Sequence, residues 1–241
     1  MPLTVTALPA LSDNYIWLLR APDGRLAVCD PGEAGPVVAA VEAAGSKLDL
    51  ILLTHHHGDH VDGVAALVAR YGSKVMGAKA DAHRLPALDI VVEPGQTADV
   101  LGVPVKVLAS DGHTLGHIAY HFPDCGILLC GDTLFSLGCG RLLEGTAADM
   151  FASLRLLAGL PPETLVCCGH EYTVSNARFA LTVEPENAAL RARAEQATAQ
   201  RAEGRATVPT TIGQELETNP FLRAKDVEAL ARIRSAKDNF R

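Results

Sequence analysis

Short apolar segments of four to seven residues, each ended by Gly, Pro, Asp or another polar residue, recur through the first 170 residues. Segments of this length bounded by turn residues are typical of strands, and longer helical patterns separate several of them. The alternation predicts two sheets covered by helices, a layered α/β sandwich, rather than an all-β fold. The predicted strands are Leu3–Pro9, Tyr15–Arg20, Leu26–Asp30, Leu50–Thr54, Lys74–Gly77, Val103–Leu108, Ile118–Phe122, Gly126–Cys130 and Thr164–Cys168, and the predicted helices are Gly35–Ala44, Val61–Tyr71 and Ala147–Leu160.

The pattern changes after Thr173, where the strand signal stops. Glu186–Glu203 is rich in Ala, Arg, Glu and Gln, which are strong helix formers, and Lys225–Ser235 is again helical in pattern. We therefore expect a main domain over residues 1–172 and a small helical domain over residues 173–241.

Composition excludes several classes of protein. With 48% hydrophobic and 20% charged residues among 241, the chain has globular usage and enough length to bury a core. A net charge of −7 argues against non-specific binding to nucleic acid or membranes. No signal peptide and no membrane-length apolar run are evident, and the six cysteines form no C-x-x-C pair. We expect a cytoplasmic, monomeric protein with reduced, buried thiols.

The densest chemical signal is the segment 54–60, Thr-His-His-His-Gly-Asp-His, directly after an apolar strand. Side chains alternate along a strand, so His55 and His57 are expected on one side and His56 on the other. Asp59 and His60 then open the next predicted helix. Imidazoles and a carboxylate at this spacing suit zinc, iron or manganese, so the segment predicts a metal site.

Three more polar residues follow predicted strands, and each comes directly after a glycine: His113, Asp132 and His170. Loops at one end of a rigid scaffold are where sites are usually built. With the first cluster, the candidates number five His and two Asp, more than one four-coordinate zinc uses. The set fits two metals sharing a bridging carboxylate, which is hydrolase chemistry. His56 and His117 are expected to orient or support the ligands, and His83 and His121 to be ordinary surface or core residues.

The order His55-x-His57-x-Asp59-His60, then His113, Asp132 and His170, resembles the metallo-β-lactamase fold superfamily. The resemblance implies a four-layer αββα sandwich with two metals at its rim. It implies that one metal is held by His55, His57 and His113, the other by Asp59, His60 and His170, and that Asp132 bridges them.

Further motifs look like those of glyoxalase II, the hydroxyacylglutathione hydrolases, and they run nearly from end to end of the chain. The motifs are residues 10–15 (ALSDNY), 131–135 (GDTLF), 138–141 (GCGR), 144–146 (EGT), 168–173 (CGHEYT), 219–223 (NPFLR) and 234–240 (RSAKDNF). The resemblance implies that Arg141, Tyr172, Arg234 and Lys237 bind glutathione. The chain differs from this family at two positions: Leu143 stands where many relatives have an aromatic residue, and Asp111 where they usually have a proline.

The resemblance predicts hydrolysis of S-(2-hydroxyacyl)glutathione, such as S-D-lactoylglutathione, to glutathione and D-lactate, the second step of methylglyoxal detoxification. Two divalent ions, zinc or else iron or manganese, would lower the pKa of water toward about 7. Asp59 or Asp132 would orient the attacking group. A persulfide dioxygenase, a lactonase, a β-lactamase and a non-catalytic metal-binding module are the alternatives. The Arg141, Arg234 and Lys237 set disfavours the lactonase and the β-lactamase. The helical tail disfavours the dioxygenase, and the complete set of seven ligands disfavours the module.

Overall fold

A computed structural model describes residues 3–240, and its backbone divides into two compact units. The first unit runs through Ala109 and resumes over Gly116–Gly131. The second unit comprises Ser110–Leu115 and Asp132–Arg241. Among the described residues, no helix is long and apolar enough to cross a membrane.

The first unit contains a six-stranded sheet whose strands follow the order of the chain. Strands β1 to β3 pair antiparallel, and β3 to β6 pair parallel. Because parallel neighbours need a crossover connection, helices intervene after β3 and β4. The strands are β1 (Thr4–Ala10), β2 (Asn14–Arg20), β3 (Leu26–Cys29), β4 (Leu48–Leu52), β5 (Lys74–Ala78) and β6 (Ile90–Val92), and the helices are α1 (Gly35–Ala43), α2 (Gly58–Val61) and α3 (Val64–Tyr71).

The core of this sheet is apolar because its central strands carry long apolar runs. Leu26, Val28 and Ile51 are fully buried, and Val37 of α1 and Leu67 of α3 pack into the same cluster. Near-continuous apolar strands are expected where helices cover a parallel sheet. The histidine-rich segment follows β4 at its C-terminal end, and its first residues remain buried.

Four further strands of the first unit form an antiparallel meander. They are β7 (Thr97–Val100), β8 (Val103–Ala109), β9 (Ile118–Phe122) and β10 (Ile127–Gly131), with a 3₁₀ turn at Pro123–Cys125. Every residue of β9 and β10 is buried. The chain therefore leaves β8 and β10 at the points where His113 and Asp132 follow in sequence.

The second unit is mainly helical. A short hairpin joins β11 (Leu134–Phe135) to β12 (Gly138–Cys139), and β13 (Leu165–Cys168) pairs antiparallel with β14 (Thr210–Thr211). Side-chain oxygens cap several helices and satisfy backbone N–H groups that the first turn leaves open. The helices are α4 (Ala147–Ala158), α5 (Thr173–Val183), α6 (Ala188–Ala202), α7 (Ile212–Thr218) and α8 (Val227–Asp238).

Two sequence predictions about these elements are wrong. The predicted helix Val61–Tyr71 is interrupted, because Gly63 donates its N–H to Pro31 O (2.9 Å) and a Cβ there would lie 2.6 Å from that oxygen. The close approach of another chain segment separates α2 from α3. The strand signal was also expected to stop after Thr173, but β14 lies beyond it.

Candidate metal and substrate site

His55 and His57 lie together just beyond the end of β4. His55 is fully buried, and its Nε2 lies 3.0 Å from Nδ1 of His57. Thr54 Oγ1 lies 3.0 Å from Nδ1 of His55, which leaves Nε2 of that ring directed toward His57. Two imidazole nitrogens that converge in this way suit a shared cation.

His56 and His117 contact this pair in other ways. Nδ1 of His56 lies 3.0 Å from the fully buried carboxylate of Asp81, and the His56 ring packs edge-on against that of His57, with centroids 5.0 Å apart. The ring of His117 stacks on that of His55, with centroids 4.7 Å apart. His117 thus limits the rotation of the His55 ring.

Asp59 and His60 sit in α2. Oδ2 of Asp59 lies 3.6 Å from Nε2 of His60 and accepts a hydrogen bond from Asn14 Nδ2 at 3.0 Å. The distance between donor atoms of two ligands on one tetrahedral ion is about 3.3 Å for bonds of 2.0–2.1 Å. The spacing of Asp59 and His60 is close to that value, and it is too long for a hydrogen bond.

Asp30, which the sequence pattern does not single out, contacts His60. Its buried carboxylate lies 3.1 Å from Nδ1 of His60 and accepts from Thr54 N (2.8 Å) and Thr54 Oγ1 (2.6 Å). Metal-binding histidines typically donate their second ring N–H to such a carboxylate, which fixes the tautomer. In the sequence Asp30 stands at the end of a predicted strand. Because Pro31 and Gly32 follow it, the same pattern is also typical of an ordinary turn.

The second unit brings His113, Asp132 and His170 together. Oδ2 of Asp132 lies 3.5 Å from Nε2 of His113 and 3.3 Å from Nε2 of His170. His113 Nδ1 lies 2.9 Å from Arg141 O. Because a carbonyl oxygen can only accept, Nδ1 carries the proton and Nε2 keeps a lone pair. One carboxylate oxygen between two imidazole nitrogens at these spacings fits a metal ligand set.

A cavity of about 470 Å³ in the second unit contains all four residues predicted to bind glutathione. His113 and Asp132 also line it, so the metal-type ligands and the cationic side chains open into one space. The remaining lining residues are Phe135, Cys139, Gly140, Ser175, Asn176 and Phe240.

The cations of this cavity differ in how they are held. Arg234 is buried, donates to Cys139 O (2.8 Å) and forms two hydrogen bonds to Asp238 Oδ1. Lys237 Nζ donates to Ser175 O at 3.2 Å. The side chain of Arg141 is 72% exposed and therefore accessible to a ligand.

Burial, followed by repulsion from nearby arginines including Arg234, Arg178 and Arg141, lowers the pKa of Lys237 to about 8. A bound carboxylate would reverse part of this effect, because an opposite charge favours the charged form of the lysine. The cavity therefore has a surplus of positive charge in a chain whose net charge is −7.

Tyr172 lies flat against His170, with ring centroids 4.6 Å apart and an interplanar angle of 3°. Phe135 packs edge-on against both rings. The two aromatic side chains restrict the His170 ring to one orientation. Leu143, in contrast, is 59% exposed and contributes its N–H to His113 O at 3.2 Å.

Cys139 and Cys168, which lie close in sequence to the proposed site residues, are not activated thiols. All six cysteines are free, and burial raises the pKa of Cys139 to about 11 and that of Cys168 to about 12. Because the thiolate is the reactive form, both remain inert at neutral pH. The donors available to a cation in each unit are imidazole nitrogens and carboxylate oxygens, which suit zinc, iron and manganese.

Comparisons with known proteins give the class first. The family model of the metallo-beta-lactamase superfamily matches residues 11–170. The crystal structure of ETHE1 from Myxococcus xanthus matches with a TM-score of 0.74 at 25% identity, covering 100% of this chain and 92% of that one. TTHA1623, solved in a di-iron-bound form, matches with a TM-score of 0.65 at 28% identity, covering 90% of this chain and 99% of that one. The chain is a metallo-β-lactamase-fold protein, as its sequence predicts.

The family follows from the rest of the chain. The model of the hydroxyacylglutathione hydrolase C-terminus matches residues 171–240. A hydroxyacylglutathione hydrolase from Acidiphilium cryptum is 55% identical over 237 residues, which cover 98% of this chain and 97% of that protein. The chain belongs to the hydroxyacylglutathione hydrolase family, a family of metal-dependent thioester hydrolases.

Proposed function

We propose that this enzyme hydrolyses S-(2-hydroxyacyl)glutathione thioesters, with S-D-lactoylglutathione as the physiological substrate, to glutathione and a 2-hydroxy acid. The observation that carries the proposal is the cavity in which Arg141, Arg234 and Lys237 share a space with His113 and Asp132. Glutathione has two carboxylates and one ammonium group, so its recognition needs local cations beside the reactive centre. In this reading the enzyme acts in methylglyoxal detoxification.

The family resemblance supports the ligand assignment that we propose. His55, His57 and His113 would hold one divalent ion, Asp59, His60 and His170 the other, and Asp132 both. When bound, two such ions supply Lewis-acid polarisation of the carbonyl and water of lowered pKa. Zinc is the metal we propose, and iron or manganese would accept the same donor set.

The residues of the chain do the remaining work. Arg141 and Lys237 bind the carboxylates of glutathione, while Arg234 lies between Cys139 O and Asp238 and keeps that pocket charged. Tyr172 borders the pocket against His170. Asp59 or Asp132 accepts a hydrogen bond from the attacking water. The thiol formed from the leaving thiolate has a pKa of about 8.5, so no dedicated general acid is needed.

The organisation of the chain is part of the proposal. A catalytic domain over residues 1–172 and a substrate-binding domain over residues 173–241 remain the proposed division. A cytoplasmic location agrees with six free cysteines. We further propose that the enzyme acts as a monomer, without nucleic-acid or membrane partners.

The test is hydrolysis of S-D-lactoylglutathione by the purified protein, with free thiol and metal content measured on the same sample. We expect turnover with about two metal ions per chain. Thioester cleavage releases one thiol per acid, whereas a persulfide dioxygenase consumes oxygen and a lactonase releases no thiol. Two bound metals without thiol release would overturn the substrate, and no bound metal would overturn the ligand assignment.

Asp132→Ala tests the bridging carboxylate. We expect this variant to lose activity and to retain one metal ion or fewer, because the removed oxygen is the donor proposed for both ions. His83→Ala, which changes an exposed histidine outside the site, is the matched control. An Asp132→Ala protein that is active with two bound metals would refute the bridge.

A further inference from the structure

The hairpin formed by β11 and β12 connects a proposed metal ligand to a proposed substrate ligand. Asp132 lies two residues before β11, and Arg141 lies two residues after β12. Leu134 pairs with Cys139 and Phe135 with Gly138, so the two ends of the hairpin are held close. The conformation of the hairpin therefore determines the position of the Arg141 backbone.

This hairpin is buried, and its backbone polar groups need partners inside the protein. Asn176 of α5 and Asn219, the residue that follows α7, supply them. Asn219 Nδ2 donates to Phe135 O (3.0 Å) and Gly138 O (2.9 Å), and Asn176 Nδ2 donates to Ser136 O (3.1 Å). The hairpin carbonyls are thus satisfied by residues far along the chain.

Glu215 of α7 supplies the acceptor at the tip. Its Oε2 accepts from Leu137 N at 2.7 Å, and its Oε1 accepts from Thr210 Oγ1 at 2.8 Å. Leu137 has a φ of +60°, in the left-handed region that a leucine rarely adopts, and Glu215 is fully buried. A strained residue of this kind persists where its surroundings hold it in place.

We propose that Glu215 is a positioning residue for the reaction: by holding Leu137 in its left-handed conformation, its carboxylate sets the hairpin that aims Arg141 at the glutathione carboxylate. Glu215 does not line the cavity, so it acts through the hairpin rather than on the substrate. The inference rests on the proposed function, because it assigns Arg141 to glutathione.

Two substitutions separate the hydrogen bond from the bulk of the side chain. Glu215→Met keeps a side chain of similar length but leaves Leu137 N without an acceptor. Glu215→Gln keeps an oxygen that accepts from Leu137 N. Its new NH₂ group donates to Thr210 Oγ1, and the Thr210 hydroxyl then donates to Gln214 Oε1, which lies 2.7 Å away. We expect Glu215→Met to raise KM for S-D-lactoylglutathione and Kd for S-methylglutathione by about tenfold. This is the cost of losing one charge-assisted contact, the one between Arg141 and the glutathione carboxylate. Glu215→Gln should stay within about threefold of the parent, and a Gln variant as impaired as the Met variant would overturn the proposal.

A double-mutant cycle with Arg141→Ala tests the route by which Glu215 acts. If Glu215 works through Arg141, adding Glu215→Met to Arg141→Ala changes Kd for S-methylglutathione by less than about twofold. If the two effects multiply, Glu215 affects binding by another route and the proposal fails. A general loss of stability would produce such multiplication.

Val37→Ala is the control for destabilisation alone, since Val37 is a fully buried residue of α1 in the other unit. It should lower the unfolding midpoint and leave Kd unchanged. If Glu215→Met does not fold, Thr210→Val replaces it, because this variant removes the hydroxyl that holds the Glu215 carboxylate through Oε1, together with the contact of that hydroxyl with Gln214. A Kd unchanged from that of the parent would then count against the proposal. A parent protein that binds S-methylglutathione but does not hydrolyse S-D-lactoylglutathione would overturn the proposed function. The role of Glu215 would still be tested by the Kd for S-methylglutathione of the same variants.

Discussion

At the scale of single residues, environment rather than residue type decides what each charged group of the site does. Lys237, Arg234 and Arg141 all carry cationic side chains, yet Arg234 is committed to Asp238 and Cys139 whereas Arg141 is largely exposed. Lys237 is the one of the three whose lowered pKa, about 8, makes it titrate near neutrality. Arginine keeps its charge throughout this range.

Ligand binding should therefore weaken above pH 8. In the free protein Lys237 loses its proton through that pH, so Kd for S-methylglutathione is expected to rise by up to about tenfold per pH unit. The effect on the free energy of unfolding has the opposite sign. Because the pKa of Lys237 is lower in the folded chain than in the unfolded chain, protonation of this lysine favours unfolding. This destabilisation disappears as the pH rises from 8 toward 10.5. Calorimetric titration at pH 7, 8, 9 and 10 measures the first effect. Lys237→Arg should flatten the profile, and a slope that persists in this variant would assign the effect to the ligand's own amine.

Asp30 gives a second prediction at this scale. Asp30→Asn preserves the volume and tolerates the left-handed backbone (φ 54°), but presents an N–H or a weaker acceptor to His60 Nδ1. We expect metal affinity to fall about 10–100-fold, the usual effect of losing the partner of a ligating histidine. Metal retained after dialysis against graded chelator measures it, with His83→Ala as the control. Equal retention by the Asn variant and the control would contradict the assignment.

At the scale of elements, α4 depends on its first turn. Thr146 Oγ1 accepts from Asp149 N while the Asp149 carboxylate accepts from Thr146 N, so the two residues satisfy each other's backbone donors. Further along the same helix, Ser153 Oγ donates to Asp111 O (2.7 Å), next to the glycine that precedes His113. The helix therefore supports the loop that carries His113, one of the proposed metal ligands.

Thr146→Ala is expected to lower the free energy of unfolding by about 1 kcal/mol, because an N-cap alanine leaves a backbone N–H of the first turn without its acceptor. Thr146→Ser, which keeps the hydroxyl, should lie close to the parent. Urea denaturation of the three proteins under identical metal loading compares them. A serine variant as unstable as the alanine variant would show that the methyl group, not the cap, carries the effect.

The elements also show how far the sequence alone reaches. Apolar runs such as those in β2 and β9 could be located from pattern, because most of β2 and all of β9 are buried. The hairpin of β11 and β12 could not, since two-residue strands have no periodicity and are held by Asn219, Asn176 and Glu215 from distant parts of the chain. The proposed histidine and aspartate ligands follow from spacing and resemblance, whereas Asp30 emerges only from its contact with His60.

At the scale of the whole molecule, the fold combines an acidic chain with a cationic pocket. The net charge of −7 repels anions at long range, while the pocket attracts them within a Debye length of about 8 Å at physiological salt. Specific recognition of an anionic thioester therefore depends on the few side chains of the pocket. The donor clusters of both units impose a second dependence, on divalent ions.

Removal of metal should affect activity and stability together. A native state that binds an ion and an unfolded state that does not differ by RT ln(1 + [metal]/Kd), which is about 2.7 kcal/mol at one hundred times Kd for a single site. We expect chelation to abolish thiol release and to lower the free energy of unfolding by at least this amount, and zinc to restore both. Asp132→Ala should show a smaller stabilisation by zinc than the parent, because its proposed bridging oxygen is absent. A parent protein whose unfolding is insensitive to chelator would mean that the unfolded chain binds the ions as tightly as the native state does, and would contradict this expectation.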